Sequence, residues 1–307
     1  MKIFITGASG FIGSHFVKRL ENNHNVFAMT ADLLDFSKVR EELFSFDPEI
    51  IVHFGARTEV ERSFYEQVTF SEINYVGTVN LIESATKLKH LKNFVFASTM
   101  EVYGWQPVSD LIKKQGYLKD TVPAFDENTT PNPNAPYAVA KYACEKYLEY
   151  AHRSLGLPFC AIRQTNTYGR KENDFFVIEQ IITQMLRNLS AVRLGYGTPY
   201  RNFLYIDDLL DLWSTIIENP EKTNGGHIFT IGPNNPIQIS VLADKIADKL
   251  DWKGNIFWNT KPERPGEIYL LNSDHKLVTE LTGWAPKVDL DTGLDQTITH
   301  WKQKLNK

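Results

Sequence analysis

The chain has 307 residues, with 33 Lys and Arg against 37 Asp and Glu and a formal net charge of −4. A chain of this length can bury a large core, and its negative charge argues against nucleic acid as a main partner. The cysteines Cys144 and Cys160 are too few for a disulfide framework or a metal cluster, and no apolar run is long enough to span a bilayer. The first six residues run straight into a turn, unlike a signal peptide, so we expect a cytoplasmic protein with no membrane partner.

Short apolar runs alternate with helical patterns through the first half of the chain. Strands are predicted at 2–6, 25–29, 49–53, 93–97 and 158–162, and helices at 11–22, 37–46, 76–88 and 137–155. This alternation predicts an α/β protein with a doubly wound parallel sheet and helices on both faces. Functional side chains are then expected at the carboxyl ends of the strands.

Beyond about residue 170 the pattern becomes mixed, with helices predicted near 175–188, 207–218, 239–250, 276–282 and 292–305. We predict a nucleotide-binding domain at 1–170. A smaller mixed α/β substrate-binding lobe is predicted at 171–307, with some chain crossing back to the first sheet. Residues 105–136 contain five prolines and are predicted to form a loop across the mouth of the site.

Three glycines follow the first predicted strand, in the run Gly7-x-x-Gly10-x-x-Gly13. In such a turn the first glycine permits a sharp bend, the second lets the backbone approach a pyrophosphate, and the third lets a helix pack closely on the sheet. The helix N-terminus then faces the phosphates. The order strand, turn, helix favours a Rossmann-type dinucleotide site over an ordinary glycine-rich loop.

Tyr137 and Lys141 are four residues apart and are expected to share one helix face. A nearby ammonium lowers the pKa of a phenol, so this pair is suited to move a proton, and the lysine can also donate to ribose hydroxyls. The alternative is a tyrosine and a lysine on a solvated helix face. The run Arg163-x-x-Asn166-x-Tyr168-Gly169 further along the chain favours the functional interpretation.

Seven segments together resemble one known family. They are Gly7-x-x-Gly10-x-x-Gly13, Asp32-Leu-Leu-Asp35, residues 53–63, Asn74-Tyr-Val-Gly77-Thr78, Ser98-Thr99-Met-Glu101-Val-Tyr103-Gly104, Gly197-x-x-x-Arg201-Asn-Phe-x-Tyr-x-Asp207-Asp208, and Arg264-Pro-Gly-Glu267. Over essentially the whole chain the sequence resembles the extended short-chain dehydrogenase/reductases, in the branch of NAD-dependent epimerase/dehydratases that act on nucleotide-diphosphate sugars. These matches are specific for the superfamily and poorly specific for the substrate.

The resemblance implies roles for individual residues. The implied catalytic triad is Thr99, Tyr137 and Lys141. The implied cofactor-binding residues are Gly7, Gly10, Phe11, Ile12, Gly13, Asp32, Leu33, Phe54, Gly55, Ala56 and Asn74, together with Tyr137 and Lys141. The implied substrate-binding residues are Asn166, which would touch a phosphate, and Arg201 and Arg264, which would grip the diphosphate. For each arginine the alternative is a surface ion pair.

The end of the second strand departs from the family pattern. Many relatives carry an acidic residue for the adenosine ribose where this chain has Thr30, and no arginine lies there for a 2′-phosphate. Asp32 is close by and is able to serve instead. NAD is therefore favoured as the cofactor, with NADP not excluded. The strand also runs almost directly into Asp32, a compact arrangement that resembles the 4-keto-sugar reductases.

A second departure concerns Met100 and Glu101. Many sugar 4,6-dehydratases have Thr-Asp-Glu here, and a thioether cannot donate the proton that the aspartate supplies. Glu101 remains as a candidate base for C5, so dehydratase-type chemistry is favoured. The alternatives are a 4-epimerase, a UDP-glucuronate decarboxylase-like enzyme, a 4-keto-sugar reductase and a non-catalytic nucleotide sensor. A further alternative makes Glu101 an accidental surface carboxylate.

The resemblance also implies a homodimer. In this family the helices that correspond to 76–88 and 137–155 pair into a four-helix bundle. The sequence places Ala138, Tyr142, Cys144 and Tyr147 on the second of these helices, where we expect them to supply apolar surface beyond the catalytic face. The alternative is a monomer with these residues in its own core.

Overall fold

The computed structural model describes residues 1–118 and 122–305. A six-stranded parallel sheet forms its centre, in the order β10-β5-β4-β3-β1-β2. The strands in chain order are β1 Lys2–Thr6, β2 Asn25–Ala28, β3 Ile50–His53, β4 Asn93–Thr99, β5 Phe159–Gln164, β6 Asn166–Tyr168, β7 Ala191–Arg193, β8 Tyr200–Arg201, β9 Phe203–Tyr205, β10 Gly225–Ile231, β11 Ile237–Gln238, β12 Asn255–Phe257 and β13 Leu270–Leu271.

Helices cover both faces of the sheet. They are α1 Phe11–Leu20, α2 Phe36–Phe46, α3 Val60–Ser63, α4 Gln67–Ser71, α5 Gly77–Ala85, α6 Pro107–Gln115, α7 Pro136–Leu155, α8 Val177–Arg187, α9 Ile206–Glu218, α10 Pro220–Thr223, α11 Ile239–Leu250, α12 Lys276–Thr282 and α13 Leu290–Leu305. A π-helical turn, Glu72–Val76, joins α4 to α5, and a 3₁₀ turn, Met100–Tyr103, follows β4. Among the described helices, none is both long and apolar enough to cross a membrane.

The core has two layers because neighbouring side chains of a strand point to opposite faces. Ile3 and Ile5 of β1 join the cluster under α1, α8 and α9, while Phe4 joins the cluster under α2, α5 and α7. All three side chains are fully buried. Both faces of β1 are therefore covered, which explains why its sequence reads as a continuous apolar run. The predicted Rossmann-type α/β fold is confirmed.

Within the described residues, three smaller sheets lie outside the main sheet. Strands β11, β8 and β13 form one, β12 and β7 a second, and β6 and β9 a third. The sixth strand of the main sheet, β10, also comes from the C-terminal part of the chain. The first three residues of this strand, Gly225, Gly226 and His227, lack the apolar pattern that would predict a strand. The division of the chain at residue 170 stays a prediction.

The prediction of a loop over all of 105–136 is wrong, because residues 107–115 form α6. Pro107 occupies the first turn, where the missing N–H costs nothing, and Gly116 ends the helix at φ 76°. The prolines therefore bracket a helix instead of preventing one. Residues 119–121 of this stretch lie outside the described part of the chain.

Candidate active site

The glycine turn after β1 is closed by backbone contacts that leave no room for a side chain. Gly7 has φ +66°, and a Cβ there would lie 2.6 Å from the amide nitrogen of Gly55. A Cβ on Gly13 would lie 2.2 Å from the carbonyl oxygen of Gly7, and one on Gly10 3.3 Å from the same atom. No side chain caps α1, which begins at Phe11. This bare helix N-terminus beside a close turn fits a dinucleotide pyrophosphate.

A chain of hydrogen bonds under the turn ties three elements together. Gly55 N donates to Thr6 Oγ1 at 2.9 Å, Thr6 Oγ1 and His53 Nδ1 are 2.6 Å apart, and His53 Nε2 and Thr78 Oγ1 are 2.8 Å apart. Thr78 Oγ1 uses its only proton on the carbonyl of Asn74 at 2.6 Å, so His53 must donate from Nε2 and accept at Nδ1. Burial lowers the pKa of His53 well below its usual value, which favours this neutral form.

The other predicted cofactor residues surround this chain. Asn74 is fully buried, and its side chain bonds the backbone of Arg57. It accepts from the Arg57 N–H at 2.8 Å and donates to the Arg57 carbonyl at 2.9 Å. Asn74 therefore shapes the segment that holds Phe54, Gly55 and Ala56. Phe54 itself turns inward and packs against Trp213, with ring centroids 4.5 Å apart.

Asp32 and Leu33 lie beyond the end of β2. Asp32 is exposed, and its carboxylate accepts from Leu34 N at 2.9 Å, forming a short local turn. Leu33 is buried, and its carbonyl accepts from Asn80 Nδ2 at 2.9 Å. Leu33 also packs closely on Gly77, where a Cβ would lie 2.8 Å from the leucine Cβ. Leu33 is therefore fixed between the sheet edge and α5.

Thr99, Tyr137 and Lys141 come together at the carboxyl end of β4. Thr99 is the last residue of that strand, and Tyr137 is the second residue of α7. Burial, followed by the charge of Glu101, raises the pKa of Tyr137, while a hydrogen bond with Thr99 opposes the rise. Lys141 donates to the carbonyl of Ala97 at 2.7 Å. Burial lowers the pKa of Lys141 to about 8.

The prediction that Lys141 lowers the pKa of Tyr137 is wrong for this structure. The lysine donates to the Ala97 carbonyl, and its Nζ lies 4.6 Å from the centroid of the Phe96 ring. The four-residue spacing correctly predicted that Tyr137 and Lys141 share a helix face. Burial and the charge of Glu101, however, are what raise the pKa of Tyr137.

Glu101 lies in the 3₁₀ turn directly after Thr99, between the triad and two arginines. Its backbone N–H donates to Thr99 Oγ1 at 3.2 Å. Burial raises the pKa of Glu101, and the charges of Arg201 and Arg264 oppose that rise. The Glu101 carboxylate is therefore coupled electrostatically to Tyr137 and to both arginines. Met100, beside it in sequence, is 1% exposed and packs in an apolar cluster.

Glu267 holds both predicted diphosphate-binding arginines. It accepts from Arg201 Nη2 at 2.7 Å, and from Arg264 Nε at 2.8 Å and Nη2 at 2.9 Å. Although burial alone raises its pKa, the two guanidinium groups bring it below the usual value. Glu267 was not among the residues predicted from the sequence, although it closes the Arg264-Pro-Gly-Glu267 run.

Asn166 begins β6 and lies beside the same arginine-bearing segment. Its register pairs it with Phe203, and its Nδ2 donates to the Asn202 carbonyl at 3.4 Å. Arg201 precedes these two residues directly. The structure thus brings Asn166 and Arg201, 35 positions apart in sequence, to one side of the site.

A buried ion pair between Arg163 and Glu145 lies next to the end of β4. Arg163 Nη2 donates to Glu145 at 2.8 Å, and Ser98 Oγ donates to the same carboxylate at 2.5 Å. Arg163 and Glu145 are 4% and 0% exposed. Because Glu145 lies on α7 and Ser98 precedes Thr99, this network links the helix of Tyr137 to the end of β4.

A cleft of about 340 Å³ opens beside Arg264. Trp105 and the α6 residues Ser109 and Lys113 form one wall, and the segment with Arg264 and Glu267 forms another. The stretch predicted to cross the mouth of the site therefore does border a cleft, but as a helix.

Known proteins resemble this chain over its whole length. A model of the NAD dependent epimerase/dehydratase family matches residues 3–232. A putative UDP-glucose 4-epimerase of Methanocaldococcus jannaschii is 30% identical, with 99% of each chain covered. The dTDP-glucose 4,6-dehydratase of Escherichia coli is 28% identical, covering 98% of this chain and 93% of the relative. The crystal structure of UDP-glucose 4-epimerase from Thermotoga maritima with UDP-glucose is 26% identical and superposes with a TM-score of 0.84, covering 99% and 100% of the two chains.

Proposed function

This chain belongs to the NAD dependent epimerase/dehydratase family, and from that membership we propose that it catalyses dehydratase-type chemistry on a nucleotide-diphosphate sugar. The proposed reaction oxidises C4 of the sugar, removes the C5 proton with Glu101, expels the C6 hydroxyl as water and returns the hydride. The observation that carries the proposal is the position of Glu101 between Tyr137 and the arginines, where its charge acts on both.

NAD is the cofactor of this family, and when bound it accepts and later returns the hydride. In this chain Gly7, Gly10 and Gly13 provide the turn for its pyrophosphate, since a Cβ at any of them would approach the Gly7 or Gly55 backbone. The hydrogen-bond chain through His53 holds the turn and the segment after β3 in one arrangement.

Tyr137 is proposed to take the proton of the C4 hydroxyl at its Oη, while Thr99 hydrogen-bonds the same hydroxyl. Because burial and Glu101 raise the pKa of Tyr137, the phenol must first lose its own proton to solvent, and it then accepts the hydroxyl proton as a phenolate. Lys141 lies one helical turn further along α7 and is proposed to donate to the nucleotide ribose.

Glu101 is proposed to act as both base and acid. It removes the C5 proton, which is acidic beside a C4 ketone, and passes it to the departing C6 hydroxyl, so that one water leaves and the protons balance. Met100 cannot share this task because a thioether carries no proton and its side chain is buried in an apolar cluster. The raised pKa of Glu101 supports a carboxyl group that holds a proton for part of the cycle.

Arg201 and Arg264 are proposed to bind the diphosphate, with Asn166 contacting a phosphate. A planar guanidinium suits bidentate contact with phosphate oxygens. Both arginines are paired with Glu267, so the diphosphate must compete with this carboxylate for the same donors.

The second candidate is a 4-epimerase, which the 30% identical relative from Methanocaldococcus jannaschii favours by its name. In that reaction the 4-keto sugar rotates and receives the hydride on its other face, so no base beyond Tyr137 is needed. Glu101 then has no chemical role, and this difference makes the two candidates separable.

The test is incubation with a panel of nucleotide sugars, analysed by mass spectrometry and NMR, with wild type and Glu101→Gln side by side. We expect loss of one water from one substrate with wild type, and no product with the variant although the substrate still reduces bound NAD. Deuterium from heavy water should enter C5 far more slowly in the variant. Glu172→Gln, at an exposed ion pair with Lys304, is the matched control and should behave as wild type.

An unchanged mass with a new NMR spectrum, combined with normal turnover by Glu101→Gln, would replace the proposal with the 4-epimerase. Loss of carbon dioxide would indicate a decarboxylase. Turnover only with an added 4-keto sugar and a reduced cofactor would indicate a reductase, and binding without turnover a nucleotide sensor.

A homodimer is proposed through the outer face of α4, the π-helical turn and α7. Val68, Val76, Val139 and Tyr150 are between 45% and 70% exposed there. The expectation for two of the predicted residues is wrong: Ala138 and Cys144 are fully buried within the single chain, and the Cys144 thiol donates to the Asn74 carbonyl at 3.1 Å. The proposed location is the cytoplasm, and both thiols are buried and free.

A further inference from the structure

A carboxylate from α2 is fixed at the end of β2. The chain leaves the sheet after Ala28, and Met29 N still donates to the Ile5 carbonyl at 2.9 Å. The next residue, Thr30, donates from its backbone nitrogen to Glu42 Oε2 at 3.1 Å, and its hydroxyl donates to Glu42 Oε1. Two donors from one residue therefore hold both oxygens of a side chain that begins twelve positions further along.

This position is beside the glycine turn. Strands β1 and β2 are parallel neighbours, with Ile5 paired to Ala28, so the residues after both strands emerge at the same edge of the sheet. In dinucleotide-binding folds a carboxylate at the end of the second strand hydrogen-bonds the 2′-hydroxyl of the adenosine ribose. The strand itself offers only Thr30 at this point, and Thr30 directs its hydroxyl to Glu42.

We infer that Glu42 is the residue that selects NAD over NADP, by accepting from the adenosine ribose hydroxyls and repelling a 2′-phosphate. A carboxylate offers about four acceptor positions, and Thr30 occupies two, which leaves two for the ribose. Residues 25–37 contain no lysine or arginine, and Lys38, the first basic residue after them, is paired with Asp35 at 3.3 Å. Asp32, the residue predicted from sequence, is exposed and uses one oxygen on the Leu34 amide.

The test is equilibrium binding of NAD and of NADP to the full chain, followed by calorimetry or tryptophan fluorescence, without any substrate. In wild type we expect NAD to bind at least about 100-fold more tightly, since like charges a few ångströms apart near a surface repel strongly. Glu42→Gln keeps the contact with Thr30 and removes the charge, so the preference should fall at least about tenfold, mainly through tighter NADP binding.

Glu41→Gln is the matched control, because Glu41 is the exposed neighbour on the same helix and changes the net charge equally. Asp32→Asn is tested in parallel. An unchanged preference in Glu42→Gln, or a loss of preference in Asp32→Asn alone, would overturn the inference. Thr30→Val provides a second test, since it releases one carboxylate oxygen and should weaken NAD binding while leaving the rejection of NADP in place.

Discussion

The two ends of the active site are built on different physical principles. The nucleotide end, around Gly7, Gly13 and His53, is held by backbone contact and by neutral hydrogen bonds. The substrate end, around Glu101 and Glu267, is held by partly or fully buried charges that shift each other's pKa values. The nucleotide end should therefore be sensitive to substitutions that add atoms. The substrate end should be sensitive to substitutions that remove a charge or a proton-carrying group.

Tyr137→Phe should produce the largest change, and only in chemistry. It removes one oxygen from the substrate end and leaves the packing of α7 intact. We expect turnover to fall at least about 100-fold, as for the loss of a general acid/base, with NAD affinity close to wild type. Steady-state kinetics and calorimetric NAD titration measure the two quantities. Turnover near that of wild type would remove Tyr137 from the proposed mechanism.

Gly13→Ala should damage the nucleotide end through a single methyl group. The new Cβ would lie 2.2 Å from the Gly7 carbonyl oxygen and 2.9 Å from Ala8 Cα, and both are backbone atoms that cannot rotate away. Overpacking of this kind typically costs about 1–3 kcal/mol, which is measurable in chemical denaturation, and we expect NAD binding to weaken as well. Gly195→Ala is the control, because nothing lies within 4 Å of its Cβ position. Equal stability of the two variants would contradict the steric argument.

Lys141→Met should stabilise the folded protein while it inactivates the enzyme. Burial lowers the pKa of Lys141 to about 8 from 10.5, so below pH 8 the folded state carries a buried charge at a cost. Between about pH 8 and 10.5 the unfolded chain binds more protons, so the stability of wild type rises with pH relative to the variant. We expect the variant to be more stable by about 1–3 kcal/mol at pH 7.

Urea denaturation of both proteins at several pH values measures this difference, which should shrink as the pH approaches 10.5. Lys146→Met, on the exposed side of the same helix, is the control and should show no such pH dependence. A variant less stable than wild type at pH 7 would mean that the bond from Lys141 to Ala97 outweighs the cost of burial.

His53→Leu should have the smallest effect, spread over stability and NAD affinity. It leaves the hydroxyls of Thr6 and Thr78 without their partner, which costs about 1–3 kcal/mol. His53→Gln supplies a neutral donor and acceptor and should recover much of both quantities. Thermal unfolding and NAD titration provide the readout. If glutamine is no better than leucine, the ring shape of His53 matters more than its hydrogen bonds.

Local patterns predicted the scaffold well. The glycine spacing, the end of α7 at Leu155 and the extent of α11 depend on neighbours within a few residues, and the structure has all of them. The errors arose where a local signal had two meanings. The prolines of 105–136 indicated a loop, but Pro107 opens a helix, and Ala138 and Cys144 were expected to be surface residues although both are buried within the chain.

The sequence by itself determined the alternation of β1–β5 with α1, α2, α5 and α7, the glycine turn, and the tyrosine and lysine on one helix face, because each follows from a repeat or a turn within about ten residues. Only the tertiary structure decided which distant side chains meet. It placed Glu42 on Thr30, His53 between Thr6 and Thr78, and Glu267 between Arg201 and Arg264. These contacts depend on strand order and register, which bring together elements that no local period connects.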